Sequence, residues 1–194
     1  MGTAGLRERK KQATRMALHE AAVTLSISHG LDKVTIEAIA DAAEVSRRTF
    51  SNYFTSKEEA LLYGDQQRVL RLVETVRERP RTEAPWAALT AAALEFQRDL
   101  GARDPHWVTQ IRLVRRHPAL AAQQVSTYAS MEDELTAQVA LRSREAEPMQ
   151  ARLMAAAFLV TMRVAVQEWL DRPKGTPLSD VMRESLDKMA AAFR

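Results

Sequence analysis

Side chains able to recognise nucleobases are concentrated in one short stretch of the chain, residues 46–53, SRRTFSNY. Arginine can donate two hydrogen bonds to guanine, and asparagine can pair in the same way with adenine, from within the major groove. Arg47, Arg48, Ser51 and Asn52 share one side of a helix, whereas Phe50 lies on the other side. This arrangement predicts a short helix that packs by its aromatic face and presents base-reading groups outward.

The residues before this stretch have the pattern of a second short helix that ends in a tight turn. Thr35 is a good N-cap, and Glu37 lies in the first turn, where negative charge suits the helix dipole. An apolar face follows at Ile36, Ile39 and Ala40. Residues 43–45 then form the turn, and Ser46 caps the next helix. Two capped helices at this spacing predict a helix-turn-helix that places its second helix in a DNA groove.

Several neighbouring side chains are expected to hold the DNA backbone, because phosphate contacts set register without reading sequence. Thr49, Tyr53 and Lys57 have suitable positions, and basic residues near the N-terminus can touch the backbone or the minor groove. The alternatives are an ordinary solvated face for the arginine pair and a frayed, solvated end for the N-terminal residues. The predicted DNA-binding residues are Thr35, Ser46, Arg47, Arg48, Thr49, Ser51, Asn52, Tyr53, Lys57, Arg7, Lys10 and Lys11.

The positive charge of the chain is confined to its first third. The net charge of the 194 residues is only +3. Residues 1–57 contain nine Lys/Arg against six Asp/Glu, and the remaining residues contain nineteen of each. A basic N-terminal part followed by a neutral remainder suits a protein that binds a polyanion at one end.

The rest of the chain indicates an all-α protein with a hydrophobic content of 46%. Good helix formers dominate, and alternating apolar runs typical of strands are missing. Ser56 and Glu59 match a capping box, prolines stand at plausible first helical positions, and Gly30 is the expected left-handed C-cap of the first helix. The predicted helices, about nine in number, span roughly 6–28, 36–42, 47–53, 57–79, 85–100, 105–116, 118–141, 148–170 and 177–193.

The segment from about residue 10 to 65 resembles the DNA-binding domain of the TetR family of transcriptional regulators. The resemblance rests on Gly30, Val34-Thr35-Ile36, Ile39-Ala40, Ala42-Ala43, Val45-Ser46-Arg47-Arg48-Thr49-Phe50, Tyr53-Phe54 and Ser56-Lys57-Glu58. Three positions depart from the usual pattern: Ser26 replaces an aromatic residue, Glu44 replaces a turn glycine, and Ser51 replaces a frequent aromatic residue. The resemblance implies a DNA-binding domain at 1–56 and a helical ligand-binding and dimerisation domain at 57–194.

The resemblance also implies a small-molecule pocket within the C-terminal helices. The stretch 111–120, IRLVRRHPAL, weakly resembles family members that sense lipophilic or acyl-type ligands. Arg163 interrupts an apolar helix, and if buried it would need a carboxylate from the protein or from a ligand. Plain core packing is the alternative for each aromatic residue and methionine. The candidate ligand-binding residues are Trp86, Phe96, Trp107, Arg112, Tyr128, Met131, Phe158, Met162 and Arg163.

The last two helices are the expected dimer interface, because in TetR-like proteins the corresponding helices pair as a four-helix bundle. One face of the first of them combines large and small residues that favour close packing. Dimerisation also doubles the number of bases that one short recognition helix can read. The predicted interface residues are Met154, Phe158, Met162, Val166 and Trp169, with Ala151, Ala155 and Ala165 beside them.

Enzymatic chemistry and membrane insertion are not indicated. The four histidines are scattered, there is no cysteine, and no phosphate-binding or nucleophile motif occurs. The apolar run 155–166 contains Arg163 and is too short to span a bilayer. We therefore expect a cytoplasmic homodimer without a cofactor that represses transcription and is released from a pseudo-palindromic operator by a small-molecule inducer. The alternatives are an activator of the same fold and a helical small-molecule-binding protein without specific DNA binding.

Overall fold

The computed structural model describes residues 3–101, 107–143 and 147–193, and these residues contain helices and no strands. The all-α prediction is confirmed. Two short 3₁₀ turns, Leu31–Lys33 and Ala191–Phe193, accompany the α-helices. The helices of the described chain are α1 Thr3–His29, α2 Ile36–Ala42, α3 Arg47–Ser51, α4 Lys57–Glu78, α5 Pro85–Gly101, α6 Trp107–Arg116, α7 Pro118–Ala140, α8 Pro148–Asp171 and α9 Leu178–Ala190.

The helix boundaries agree with the local signals in the sequence to within a few residues. The largest difference at the candidate site is α3, which ends at Ser51 rather than Tyr53. Helical hydrogen bonding nevertheless continues, since the Asn52 amide donates to the Arg48 carbonyl at 3.2 Å. The predicted cap at Asp104–Pro105 lies outside the described residues.

Contacts along the chain define two compact units. Unit 1 comprises residues 1–67 and 106–125, and unit 2 comprises residues 68–105 and 126–194. Unit 1 therefore contains α1 to α3, the first half of α4, and α6. The predicted boundary between residues 56 and 57 separates a DNA-binding part from a ligand-binding part. It is a division by function, unlike these two units, and it stays a prediction.

The core of unit 1 is built on the aromatic face of the helix-turn-helix. Phe50 is fully buried, and Phe54 is 3% exposed. They pack with Leu18 from α1, Ile39 from α2 and Leu61 from α4. The predicted inward orientation of the two phenylalanines is confirmed, and it is this burial that turns the other side of α3 to solvent.

The end of α1 differs in one detail from the prediction. Gly30 has a positive φ of 82°, as expected, but its ψ of 141° lies outside the left-handed helical region. The chain therefore leaves the helix in an extended direction and enters the 3₁₀ turn at once, with the Val34 amide donating to the Leu31 carbonyl at 3.1 Å. Glycine is still required there, because other residues rarely adopt this φ.

The core of unit 2 is centred on α8 and α9, which pack against each other, and α5 packs against α9. Phe158, Ala155 and Ala165 of α8 are fully buried. Leu186 from α9 and Leu89 from α5 belong to the same apolar cluster. Small residues beside large ones on α8 allow these helices to approach closely.

The loop between α4 and α5 is held by charged groups rather than by apolar packing. Arg79 forms an ion pair with Glu83, and this contact holds the pKa of the Glu83 carboxyl below its usual value. Arg142, just after α7, donates from Nη2 to the carbonyls of Val76 at 2.5 Å and Arg79 at 3.1 Å. Burial lowers the pKa of the Arg142 guanidinium. These bonds supplement the one that the Val76 carbonyl accepts from the Arg79 amide at 3.3 Å, and they pair the Arg79 carbonyl just beyond the helix.

Candidate DNA interface and ligand-binding core

Side-chain caps set where the two helices of the motif begin. The Thr35 hydroxyl accepts from the Ala38 amide at 3.1 Å, and the Ser46 hydroxyl accepts from the Thr49 amide at 3.0 Å. Both predicted caps are confirmed. Thr35 and Ser46 therefore position α2 and α3, and their contact with DNA stays a prediction.

The turn between α2 and α3 depends on one residue with a positive φ. Glu44 has φ 55°, and it is the only non-glycine residue with positive φ in the described chain. The next amide, that of Val45, donates back to the Ala40 carbonyl at 2.9 Å. Glu44 therefore adopts the conformation that glycine would take most easily, at a position where glycine is the usual residue in the family that the segment resembles.

The outer side of α3 presents the predicted base-reading groups to solvent. Arg48, Ser51 and Asn52 are exposed. The Arg47 side chain is 71% exposed, and its Nη1 lies 3.0 Å from Oε1 of Glu37 on α2. A pair this exposed adds little stability, but it biases the arginine toward one orientation. The four side chains are thus brought together on one accessible surface, which we call the recognition face.

The predicted phosphate contacts Thr49 and Tyr53 are half-buried beside this face. The Thr49 hydroxyl lies 2.9 Å from the Ser46 hydroxyl, so it is shared with the cap. The Arg15 guanidinium of α1 lies 5.9 Å from the centre of the Tyr53 ring and 5.5 Å from that of Tyr63. Arg15 was not among the predicted residues. Its stacking on two rings ties α1 to the end of the recognition segment.

The Lys57 side chain forms hydrogen bonds within the protein, apart from its predicted contact with DNA phosphate. Its ammonium group donates to the carbonyls of Leu31 at 2.8 Å and Val34 at 2.9 Å. These bonds hold the 3₁₀ turn against the start of α4 and use two of its three N–H donors. Its contact with phosphate stays a prediction that depends on the remaining donor.

The basic residues near the N-terminus lie on a continuous helix. α1 begins at Thr3, and Arg7, Lys10 and Lys11 are exposed on it. A helical rather than extended segment restricts how these side chains reach DNA, and it favours contacts with the backbone over insertion into the minor groove.

Both parts of the chain match known protein families. Residues 18–63 match the profile described as "Bacterial regulatory proteins, tetR family", and residues 83–194 match the one described as "MftR C-terminal domain". The second match covers more than half of the chain. The protein belongs to the TetR family. It is therefore a DNA-binding transcriptional regulator with a helix-turn-helix.

Two curated relatives extend this assignment along the chain. The TetR-family protein is 32% identical over 176 residues to the HTH-type transcriptional regulator TcmR of Streptomyces glaucescens, covering 85% of this chain and 76% of TcmR. It is 26% identical over 190 residues to the putative mycofactocin biosynthesis transcriptional regulator MftR of Mycobacterium tuberculosis, covering 95% and 93%.

Solved structures share the fold at lower identity. Thermus thermophilus FadR, a TetR-family repressor in complex with lauroyl-CoA, superposes with a TM-score of 0.64 at 21% identity, over 91% of this chain and 93% of FadR. A complex of SmeT with triclosan gives a TM-score of 0.67 at 19% identity, over 93% and 91%. At these identities the similarity establishes the TetR architecture for both parts of the chain.

Six of the nine candidate ligand-binding residues lie together in unit 2 of this TetR-family protein. They are members of its apolar cluster or pack against it, and Phe158 and Met131 are buried. Trp107 and Arg112 lie on α6 and belong to unit 1. The six residues brought together are Trp86, Phe96, Tyr128, Met131, Phe158 and Met162.

Arg163 does not meet the condition of burial under which it would need a carboxylate, and its contact with a ligand stays a prediction. Its side chain is exposed, and Nη1 donates to Oε1 of Gln167 at 3.4 Å. Position 163 faces away from the buried side of α8, so the arginine interrupts an apolar sequence without entering the core. No carboxylate is needed to compensate its charge there.

Two interior polar residues escaped the sequence analysis. Oγ1 of Thr90 and both amide atoms of Gln97 are buried and lack hydrogen-bond partners among the described residues. The signal for them in the sequence is their spacing from Trp86, which places all three residues on one side of α5. In this alanine-rich helix only the aromatic residues were predicted to bind a ligand.

The predicted interface on α8 is corrected by the structure. Met154 and Phe158 are buried within unit 2, so this face packs inside the monomer. The opposite side of α8 carries four exposed large apolar residues. We call it the outer face of α8, and its members are Met149 (71% exposed), Leu153 (59%), Val160 (47%) and Val164 (39%).

The described residues bear on both metal binding and membrane insertion. No group of three or more His, Asp or Glu side chains there has a geometry suited to a metal ion. Within the same ranges, α8 is the one helix long and apolar enough to cross a bilayer. The apolar run 155–166 alone was expected to be too short to span a bilayer. Its flanking residues extend it to the 24-residue helix α8, so that expectation does not hold for the whole helix. Seven residues of α8 are nevertheless buried in the protein core.

Proposed function

We propose that this TetR-family regulator is a repressor that binds a pseudo-palindromic operator as a homodimer and is released by a small molecule. The observation that carries the DNA-binding role is the recognition face. Arg47, Arg48, Ser51 and Asn52 are exposed together on a capped helix whose other side is fully buried. Arginine and asparagine there supply the hydrogen bonds that distinguish guanine and adenine.

A homodimer places two recognition faces on one duplex. Their separation is expected to be about 34–36 Å, one helical turn of DNA, so that both enter successive major grooves. We propose that the outer face of α8 forms the interface, together with α9. Its four apolar residues recur at positions i, i+4, i+11 and i+15, which place them on one stripe of the helix. A stripe of this kind left in water favours association with a second copy.

The inducer is proposed to bind in unit 2 among the six clustered aromatic and methionine residues. FadR in complex with lauroyl-CoA and SmeT in complex with triclosan support a lipophilic or acyl-type molecule. Binding would favour a dimer geometry in which the two recognition faces no longer match successive grooves, and DNA release would follow as a shift of populations. We propose a cytoplasmic protein without a cofactor or enzymatic activity.

The DNA-binding proposal is tested with fluorescence anisotropy on duplexes taken from the DNA upstream of the protein's own gene. We expect Arg47→Ala and Asn52→Ala each to weaken specific binding by about 1–3 kcal/mol, because each removes a bidentate base contact. Lys10→Ala should weaken specific and non-specific binding equally and lower the salt dependence, because it removes a phosphate contact.

Arg71→Ala is the matched control, because it removes one positive charge from an exposed position on the part of α4 that belongs to unit 2. Its specific affinity should equal that of the unmodified protein. If Arg47→Ala and Asn52→Ala also leave specific affinity unchanged, the recognition face is wrongly assigned. Reporter output after deletion of the gene then decides the direction of control, and a fall in output would contradict repression.

A further inference from the structure

The stripe of α5 that faces the interior of unit 2 carries two polar residues. Trp86, Thr90, Ala93 and Gln97 recur at i, i+4, i+7 and i+11 and therefore share one side of the helix. Trp86 shows which way this side faces. Its ring stacks on Phe193 at 5.0 Å and meets Phe158 edge-on at 6.3 Å, so the stripe is directed at α8 and the end of the chain.

Three polar atoms on this stripe are buried without a hydrogen-bond partner in the part of the chain that the structure describes. They are Thr90 Oγ1, Gln97 Oε1 and Gln97 Nε2. Buried polar groups in folded proteins are almost always hydrogen-bonded, since leaving them unpaired costs the full penalty of removing them from water. Three such atoms within two turns of one helix therefore require an explanation.

Thr90 behaves differently from three other helical threonines that the structure describes in this unit. Thr75, Thr136 and Thr161 each donate from the hydroxyl to the carbonyl four residues earlier, at 2.9, 2.7 and 2.7 Å. This local bond satisfies a helical threonine without help from the rest of the fold. The Thr90 hydroxyl makes no such bond, so its hydrogen-bonding capacity remains available to the interior.

The two other members of the stripe are apolar: Ala93 belongs to the apolar cluster of unit 2, and Trp86 packs against it. Ala93 lies between Thr90 and Gln97 and is fully buried. Three arginines of this unit have partners: Arg79 pairs with Glu83, Arg152 pairs with Glu132, and the buried Arg68 also has one. An anion placed beside Thr90 and Gln97 would meet no compensating cation from these groups.

We infer that the inducer is an uncharged, mainly apolar molecule bearing hydroxyl or carbonyl oxygens, and that Thr90 and Gln97 are its hydrogen-bonding partners. This inference rests on the proposed ligand-binding function of unit 2 and narrows it. The Gln97 carboxamide both donates and accepts, and the Thr90 hydroxyl does the same, so the pair suits a hydroxyl or a carbonyl group but provides no charge for a carboxylate or a phosphate.

The test uses two variants that keep side-chain shape but remove hydrogen bonding, Thr90→Val and Gln97→Leu. Without any ligand, both should raise the thermal unfolding midpoint by about 1–4 °C, because unpaired polar atoms leave the interior. Binding is then measured through tryptophan fluorescence with three probes of one shape: 2-naphthol, naphthalene and 2-naphthoate.

The unmodified protein should bind 2-naphthol at least tenfold more tightly than 2-naphthoate. Each variant should weaken the binding of 2-naphthol by about three- to tenfold, the equivalent of one neutral hydrogen bond. The affinity for naphthalene should stay within about twofold of its value in the unmodified protein. A structural role alone would not separate naphthol from naphthalene, because the two probes differ by a single hydroxyl.

Operator binding by the same variants without probe separates this inference from the proposed function. Thr90→Val and Gln97→Leu should bind operator DNA as tightly as the unmodified protein. Three results would show that the ligand class is wrong: 2-naphthoate binds best, no probe binds, or the variants weaken the binding of naphthol and of naphthalene equally. If operator binding is present in any of these cases, the DNA-binding proposal stands. A lower unfolding midpoint in the variants would also overturn the inference, since it would mean that the polar atoms have partners such as ordered water.

Discussion

At the scale of single residues, Glu44 holds the conformation that sets the angle between α2 and α3. Its φ of 55° places a side chain in the left-handed region, where the Cβ atom crowds the following carbonyl. The cost for an L-residue is about 1–2 kcal/mol, against about 0.5–1 kcal/mol of extra chain entropy that glycine would lose. The turn is therefore strained beside the recognition face.

We expect Glu44→Gly to raise the free energy of unfolding by about 0.5–1 kcal/mol, measured by urea denaturation, because glycine relieves this crowding. Glu44→Ala is the control, because it removes the same charge and keeps the Cβ atom. An equal gain in the alanine variant would show that the carboxylate, and not the backbone, was responsible.

At the scale of elements, the end of α4 depends on a side chain from the end of α7. The Arg142 guanidinium donates to the Val76 and Arg79 carbonyls and, through Nη1, to the Gln138 carbonyl at 2.9 Å. One half-buried residue thus connects the ends of two helices that lie far apart in the sequence.

We expect Arg142→Met to lower the free energy of unfolding by about 1–3 kcal/mol, because buried carbonyls lose their donor. Arg152→Met removes an exposed arginine that pairs with Glu132 at 3.0 Å, and it should change stability far less. The same denaturation measurement compares the two. Equal losses would mean that Arg142 contributes only its aliphatic stem.

At the scale of the whole molecule, the two sides of α8 have different surroundings. Its inner side fills the core of unit 2, and its outer face carries Leu153 and Val160 in solvent. A second copy that covers this face would remove apolar surface from water and would bring two recognition faces to one operator.

We expect Leu153→Glu to convert the dimer to a monomer in sedimentation velocity and to weaken operator binding at least tenfold, because each monomer then reads only one half-site. Leu141→Glu is the matched control, since Leu141 is 56% exposed but lies outside α8. A dimer that survives Leu153→Glu would exclude the outer face of α8 as the interface.

Local signals in the chain were sufficient to predict the helices and the motif. Caps at Thr35 and Ser46 and the prolines at 85, 118 and 148 act within a few residues, so their meaning does not depend on the rest of the fold. The spacing of Phe50 and Phe54 was enough to orient α3, because a five-residue helix has one face to bury.

The tertiary structure decided which side of each helix is buried, because the periodicity of apolar residues alone leaves this open. α8 has apolar residues on two opposite sides, and only its packing against α9 and the rest of the core of unit 2 shows that Phe158 faces inward while Leu153 and Arg163 face solvent. The same holds for Thr90 and Gln97, because the burial of their polar atoms depends on the folded protein. Hydrogen bonding and burial of this kind depend on long-range contacts, which no local pattern of residues specifies.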